Sequence, residues 1–261
     1  MFLKRYRITL RRNNFMATKS SVRQDIHNSE IPILCRSCEA RHRGICGAMT
    51  PEQLLTLSKH TRRTQKDTDA NLIVADSKAT QVSNILRGVV KLTKIMPDGR
   101  QQIVGLQFAP DFLGTPFGEY NSIDAEAANN VQLCSFPKNV LEDMIRQSPE
   151  LEHKLHQQAL KQLEEARDMM LTLGRKTAAE KVASFLYMLA IHLDPEIDHS
   201  SNLVEFELPL KRADIADYLG LTIETVSRQI TKLRKDGVVE IENNRLFKVP
   251  DISRLKARGE S

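Results

Sequence analysis

No stretch of this 261-residue chain stays apolar for the ~18–20 residues that a membrane-crossing helix needs. Lys4, Arg5, Arg7, Arg11 and Arg12 make the first residues too cationic for a secretory signal. A second methionine, Met16, opens a more ordinary start, so the residues before it read as a misassigned or dispensable leader. There is no internal repeat, no low-complexity tract, no glycine-rich phosphate loop and no nucleophile set beside a base. His153 and His156 form an H-x-x-H, but on a polar helix face they read as solvated histidines. These absences point to a cytoplasmic protein that is not an enzyme and has no membrane partner. Cysteine is scarce as well, with only Cys35, Cys38, Cys46 and Cys134. Three of the four crowd into one short segment. In a reducing compartment such clustering favours metal or redox chemistry over disulfides.

Net charge is nearly absent outside one segment. Residues 1–48 hold ten Lys and Arg against three Asp and Glu, whereas 49–148 hold eleven of each. Residues 149–174 hold three against five, and 175–261 hold fourteen of each. The excess behind the overall +5 therefore sits in an N-terminal arm. A nucleic-acid function for the C-terminal part must rest on a local basic patch.

What is present divides the chain. Residues 1–48 lack sustained periodicity. Between 49 and 148, short β-favouring runs (Leu72–Ala75, Val82–Leu86, Val89–Ile95, Gln101–Phe108, Val131–Phe136) alternate with turns such as Arg87-Gly88 and Pro97-Asp98-Gly99. That spacing predicts a β-barrel or roll. From Pro149, apolar residues recur every three or four positions, predicting a helix that Gly174 ends. A second helix is predicted over Thr177 to Leu193, with Val182, Phe185, Leu186 and Leu189 inward and Asp194-Pro195 as its breaker.

Residues 211–233 read KRADIADYLGLTIETVSRQITKL. Ile215, Ala216 and Leu219 give one short helix an apolar face, Gly220 suits a tight turn, and Thr222 can cap the next helix. Ile223, Val226, Ile230 and Leu233 are expected inward, leaving Glu224, Ser227, Arg228 and Thr231 on the other face. Such a pair of helices places the second in the DNA major groove. Arg228 can donate two bonds to guanine, Glu224 can accept from cytosine, and Ser227 can serve a neighbouring base. Arg212, Lys232, Arg234 and Lys235 are candidates for phosphate contacts. Glu224 and Arg228 could instead be a salt pair on a wet face. Val238 to Val249, with Asn243-Asn244 at its turn, reads as a two-stranded wing.

Cys35-x2-Cys38-x7-Cys46 and Cys134 supply four soft ligands, suited to zinc or to an iron–sulfur cluster. The cationic arm is expected to favour thiolates. Cys134, taken alone, also fits a buried strand residue. A zinc-stapled or thiol-redox regulator, and an iron–sulfur electron-transfer protein, remain alternatives at this point; the last leaves the helix-turn-helix unexplained.

From about Ile31 the chain resembles the CRP/FNR superfamily, in particular the FNR branch with its FixK/FnrN-like members from nitrogen-fixing and related proteobacteria. The segments that carry the likeness are CRSCEARHRGICG, QLCSFP, LGRKTAAEKVASFLYMLA and ADYLGLTIETVSRQITKL. The resemblance implies an α+β chain: an N-terminal cysteine arm (1–48), a β-roll sensor domain like cyclic-nucleotide-binding domains (49–148), a long dimerisation helix (149–174), a winged helix-turn-helix (175–250) and a tail (251–261). It implies an oxygen-responsive activator of anaerobic or microaerobic genes. Cys35, Cys38, Cys46 and Cys134 would hold a [4Fe–4S] cluster that promotes homodimerisation without oxygen. Glu224, Ser227 and Arg228 would read a palindromic TTGAT-N4-ATCAA-like operator in double-stranded DNA. The turn from Pro97 to Arg100 would approach RNA polymerase. The seven-residue gap before Cys46 is typical of the FnrN-like group.

The same superfamily includes cyclic-AMP sensors, which need a cation for the phosphate. Residues 111–133 hold no Lys, Arg or His, only Asp111, Glu119, Asp124 and Glu126, so no cyclic nucleotide is expected. On the long helix, Ala159, Leu163, Ala166, Met170 and Leu173 repeat in a heptad-like way suited to parallel pairing. Leu155, Ala159, Gln162, Ala166, Met169 and Leu173 form a second possible seam. Glu164, Glu165 and Asp168 flank either one, which predicts a marginal interface that a switch can tip.

Overall fold

The structure, a computed structural model, describes residues 31–193 and 202–260. The basic residues before Ile31, the alternative start at Met16 and the break at Asp194-Pro195 lie outside the described residues.

Three short turns open the chain: α1 (Ile33–Arg36), α2 (Glu39–His42) and a 3₁₀ turn (Ile45–Ala48). They are not a free arm, as the lack of periodicity had implied. Ile31, Ala40 and Ile45 are buried, and Cys46 packs in one apolar cluster with Leu54, Phe136, Leu151 and Leu155. Next comes α3 (Pro51–His60), started by a reciprocal capping box between Thr50 and Gln53.

Eight strands follow: β1 (Arg62–Lys66), β2 (Asn71–Ile73), β3 (Gln81–Arg87), β4 (Val89–Ile95), β5 (Gln101–Phe108), β6 (Phe112–Leu113), β7 (Asp124–Ala127) and β8 (Val131–Pro137). They make two antiparallel four-stranded sheets, ordered β1-β8-β3-β6 and β2-β7-β4-β5. Gly88, with φ +93, makes the sharp step between β3 and β4, where a Cβ would lie 2.6 Å from the Asn130 carbonyl oxygen. The five expected strands are all present. β1 escaped the sequence pattern because Arg62-Arg63-Thr64-Gln65-Lys66 is polar and mostly exposed.

α4 (Lys138–Gln147) leads into α5 (Pro149–Arg175), which Ser148 caps through the Leu151 amide. Gly174 does not end α5; it is helical, and the chain extends only at Lys176. Nothing lies within 4 Å of where its Cβ would be, so no contact exploits its freedom. α6 (Ala178–His192) starts at a capping box between Thr177 and Glu180 and buries Val182, Phe185, Leu186 and Leu189.

The C-terminal unit adds β9 (Val204–Glu207), α7 (Arg212–Leu219), α8 (Ile223–Lys235), β10 (Glu240–Glu242), β11 (Leu246–Val249) and α9 (Ile252–Glu260). The wing has three strands rather than two, because β9 pairs with β11. The expected C-terminal tail is also corrected. Residues 252–260 form a helix whose Leu255 is fully buried and whose Gly259 lies against Ser184 of α6. The core of this unit is continuous with the roll through Val89, Ile103, Leu106 and Phe108.

Candidate DNA-reading face and cysteine site

α7 and α8 meet at Gly220, whose φ of +60 and ψ of +46 set the left-handed turn. Thr222 caps α8 through the Thr225 amide at 3.2 Å. Val226, Ile230 and Leu233 are buried as expected, but Ile223 is not: it is 47% exposed in the first turn. At that position the helix has not yet passed over the core, so the inward set begins one turn later. Glu224 and Arg228 are exposed, and Ser227 is half-buried. Among the described residues Glu224 and Arg228 form no ion pair. Arg228 Nη2 is instead 3.4 Å from Thr225 Oγ1. The Glu224 carboxyl is held below its ordinary value by its own backbone amide and by the Thr222 hydroxyl. The reading face therefore presents a carboxylate and a guanidinium that are not spent on each other.

A groove of roughly 450 Å³ runs between this face and the wing, and Arg212, Ser227, Thr231, Arg234, Asn244 and Arg245 help line it. Two sequence candidates for phosphate contacts, Arg212 and Arg234, stand on it. Arg212 lies over the Phe247 ring at 5.7 Å, and its Nη1 has no hydrogen-bond partner among the described residues. Lys235 is exposed at the end of α8. Lys232 points elsewhere, to a shallow pocket with Thr177, Glu180 and Asp236. Sequence reasoning missed Arg245 and the Asn243-Asn244 pair as groove residues. Both asparagines have positive φ, +51 and +59, as a two-residue hairpin requires. That turn was legible; its approach to the reading helix was not.

The first helix of the pair is fastened to the roll. Lys91 of β4 is almost fully buried and bonds Glu126 at 2.6 Å and Asp214 of α7 at 3.0 Å. Burial opposes its charge, but the two carboxylates offset this and hold it above its ordinary value. Gln101 adds a bond to Asp217 at 3.0 Å. Residues 111–133 bring no Lys, Arg or His of their own to the roll. Lys91 supplies a cation to Glu126 from the neighbouring strand, and Asp214 shares it.

α5 leaves the roll after Leu155. Ala159, Leu163, Ala166, Met170 and Leu173 are all exposed, with Met170 at 64%. In the second seam Leu155 is buried and Met169 packs on the C-terminal core, so both are already used within the chain.

The four cysteines arrive from separate elements. Cys35 lies in α1, with its amide on the Pro32 carbonyl at 2.7 Å; Cys38 precedes α2; Cys46 sits in the 3₁₀ turn. Cys134 lies on β8, in register with Arg63 of β1 on one side and Asn84 of β3 on the other. Arg63 donates to the Leu34 carbonyl and so ties α1 to the sheet. The sulfurs feel one another's charge. Burial pushes the Cys46 thiol up, and Cys134, Cys38 and Cys35 push the same way. Cys134 is pushed up to about 12, by burial and then by Cys38, against a smaller pull from Arg63. Cys35 rises by burial and Cys38, against Arg63 and Arg41. At Cys35 and Cys134 desolvation outweighs the pull of Arg63, and at Cys46 burial and the other sulfurs dominate, so without metal the fold favours thiols where the cationic arm is expected to favour thiolates. A soft metal centre would have to displace their protons on binding. Among the described residues no three His, Cys, Asp or Glu converge on one ion. Four thiol donors that feel one another's charge are, by their chemistry, a donor set that suits zinc or an iron–sulfur cluster.

A Crp-like helix-turn-helix domain matches residues 180–258, and a cyclic nucleotide-binding domain matches residues 65–148. A probable transcriptional activator of Rhizobium leguminosarum bv. viciae is 52% identical over 90% of this chain and 96% of its own length. The chain belongs to the CRP/FNR family. The transcriptional activator protein FnrL of Cereibacter sphaeroides is 37% identical over 87% of this chain and 93% of its own. The solved structure of FixK2 from Bradyrhizobium japonicum superposes with a TM-score of 0.67 at 30% identity, covering 76% of this chain and 96% of that one. As a CRP/FNR protein the chain is a DNA-binding, dimer-forming transcription regulator of activator type and not an enzyme. No helix among the described residues is long and apolar enough to cross a membrane.

Proposed function

We propose that this regulator is a cytoplasmic oxygen sensor, in which Cys35, Cys38, Cys46 and Cys134 hold a [4Fe–4S] cluster and no cyclic nucleotide is bound. The observation that supports this reading is that Cys35, Cys38, Cys46 and Cys134, drawn from separate elements, lie near enough to feel one another's charge. When bound, the cluster would supply an oxygen-labile link among these segments. The residues of the chain make that link matter. Cys46 shares its apolar cluster with Leu151 and Leu155, the buried first turns of α5. A ligand set at Cys46 therefore fixes where α5 leaves the roll, and with it the exposed Leu163 and Met170 face that a second copy would cover. The interface is marginal by construction, since Ala159 and Ala166 bury little and Glu164, Glu165 and Asp168 repel their counterparts. A modest free-energy difference then shifts the dimer population.

The dimer presents two α8 helices about one helical turn apart to a palindromic TTGAT-N4-ATCAA-like site. Arg228 takes the guanine, Glu224 its paired cytosine and Ser227 a neighbouring base. The exposed turn at Pro97 to Arg100, closed by the Asp98–Arg100 ion pair at 2.8 Å, is the candidate surface for RNA polymerase. The decisive test is visible absorption of the full-length protein purified without oxygen. A brown protein with a broad band that air bleaches, carrying iron and sulfide, is expected. A colourless protein holding zinc or bare thiols rejects the cluster.

A further inference from the structure

The strand that faces Cys134 contains a residue that its surroundings do not explain. β3 runs through the core with Val82 and Ile85 essentially inaccessible, and between them stands Asn84, also fully buried. An amide in such a place must find partners or lose its hydration without return. Asn84 finds one: its Nδ2 donates to Cys46 Sγ at 3.3 Å. Its Oδ1 has no partner among the described residues. The same residue is the register partner of Cys134. Asn84 therefore touches the sulfur of one of the four cysteines and stands opposite a second in the sheet.

We propose that Asn84 is a positioning residue of the cysteine site, whose side-chain N–H holds the Cys46 thiolate in its ligating orientation and draws charge from that sulfur. The inference rests on the cluster reading above and deepens it. An ionised, metal-bound sulfur only accepts hydrogen bonds. It therefore selects the amide orientation in which Nδ2 faces it and Oδ1 faces away, which is the arrangement found. A purely apolar side chain would fill the same space without leaving an oxygen unsatisfied. A polar residue stands there at that cost, and its one side-chain hydrogen bond among the described residues is to the sulfur. Hydrogen bonds to cluster sulfurs are among the features that set a cluster's electronic properties, and partners one step behind the ligands set how tightly metal is held.

The experiment uses the full-length protein, loaded without oxygen, as wild type, Asn84→Leu and Asn84→Ala. Leucine keeps the γ-branched shape, though at larger volume, and removes the donor; alanine removes it with no steric demand. Iron transfer to a chelator is timed anaerobically by the loss of visible absorption, and resonance Raman records the iron–sulfur(cysteine) stretching bands. Melting of the cluster-free forms separates a folding defect from a site defect. In both variants iron transfer is expected to quicken about tenfold or more. The stretching bands should also move, while cluster-free melting changes little. Transfer rates and band positions equal to wild type in either folded variant overturn the role of Asn84 and leave the cluster standing. Faster transfer with unmoved bands and a large loss of cluster-free stability also overturns it, since the residue is then only structural. A wild-type protein that takes up no iron removes the cluster and Asn84's role together.

Discussion

The reading unit and the cysteine site are assembled over different distances along the chain. The features that pair α7 with α8 lie within residues 212–235: the Gly220 turn, the Thr222 cap and the spacing of Val226, Ile230 and Leu233. The cysteine site draws on α1, the step before α2, the 3₁₀ turn and β8, and it exists only once β1, β3 and β8 have paired. A local unit keeps its shape when distant contacts loosen. A non-local one is lost with them, which suits the sensing role proposed for the cysteines and the DNA-binding role of the helix pair.

The contrast is tested most severely at the sulfurs. Replacing Cys46 with Ser in the anaerobic protein should abolish cluster loading and transcription from an FNR-type promoter, and Cys134→Ser should do the same. Iron per chain and reporter output measure this, and full activity in Cys134→Ser would remove the strand cysteine from the site. DNA titration of cluster-loaded wild type with and without cyclic AMP should show no gain in affinity; a large saturable gain would restore a nucleotide site to the roll.

The C-terminal core comes next. Leu255→Ala empties a fully buried position under α6, and such truncations cost about 2–5 kcal/mol. Chemical denaturation should register it, while iron loading stays at the wild-type level. Lys91→Met leaves Glu126 and Asp214 facing each other. A cost of roughly 1–3 kcal/mol is expected, below that of a fully buried pair because both carboxylates keep some solvent. The sign with pH follows from a lysine held above its ordinary value. Its contribution is fully present below about pH 10 and is lost as the pH climbs through the raised value. The stability gap between wild type and variant should close only in strongly alkaline buffer.

The smallest effect is the most selective. Arg228→Ala should cost roughly 1–3 kcal/mol on the intact operator and relax choice at one G·C pair. Arg234→Ala on the groove should weaken all sequences alike and lower the salt slope by about one. Retention of the wild-type preference at that pair by Arg228→Ala would place the reading face elsewhere.

How much was legible in the sequence follows the same division. Gly220, Thr222 and the spacing of Val226, Ile230 and Leu233 announce the helix pair because each acts on its neighbours. Asn243-Asn244 announces its hairpin for the same reason. Cys134 in isolation looked like any buried strand cysteine, and only its register with Arg63 and Asn84 places it beside the others. Residues 31–48 looked like an arm because their burial depends on α5 and β8 rather than on a period of their own. Ile223 was misassigned by extending the helical period one turn past the core. The burial that favours thiols at Cys35, Cys46 and Cys134 is hidden from the sequence for a related reason. Charge can be counted along a chain, whereas desolvation is known only when the chain has folded.

Asp214 has a consequence for how the molecule would be watched in motion. One of its oxygens receives the Lys211 amide at 3.0 Å, closing the first turn of α7, and the other receives Lys91 from the roll at 3.0 Å. The start of the helix and the seating of the domain therefore share a single side chain. If the DNA-binding unit lifts from the roll, the amide protons of that first turn lose part of their shelter at the same moment. Hydrogen–deuterium exchange at Lys211 and Ile215 thus serves as a clock for domain release, read out beside Arg212 at the edge of the groove proposed to meet DNA.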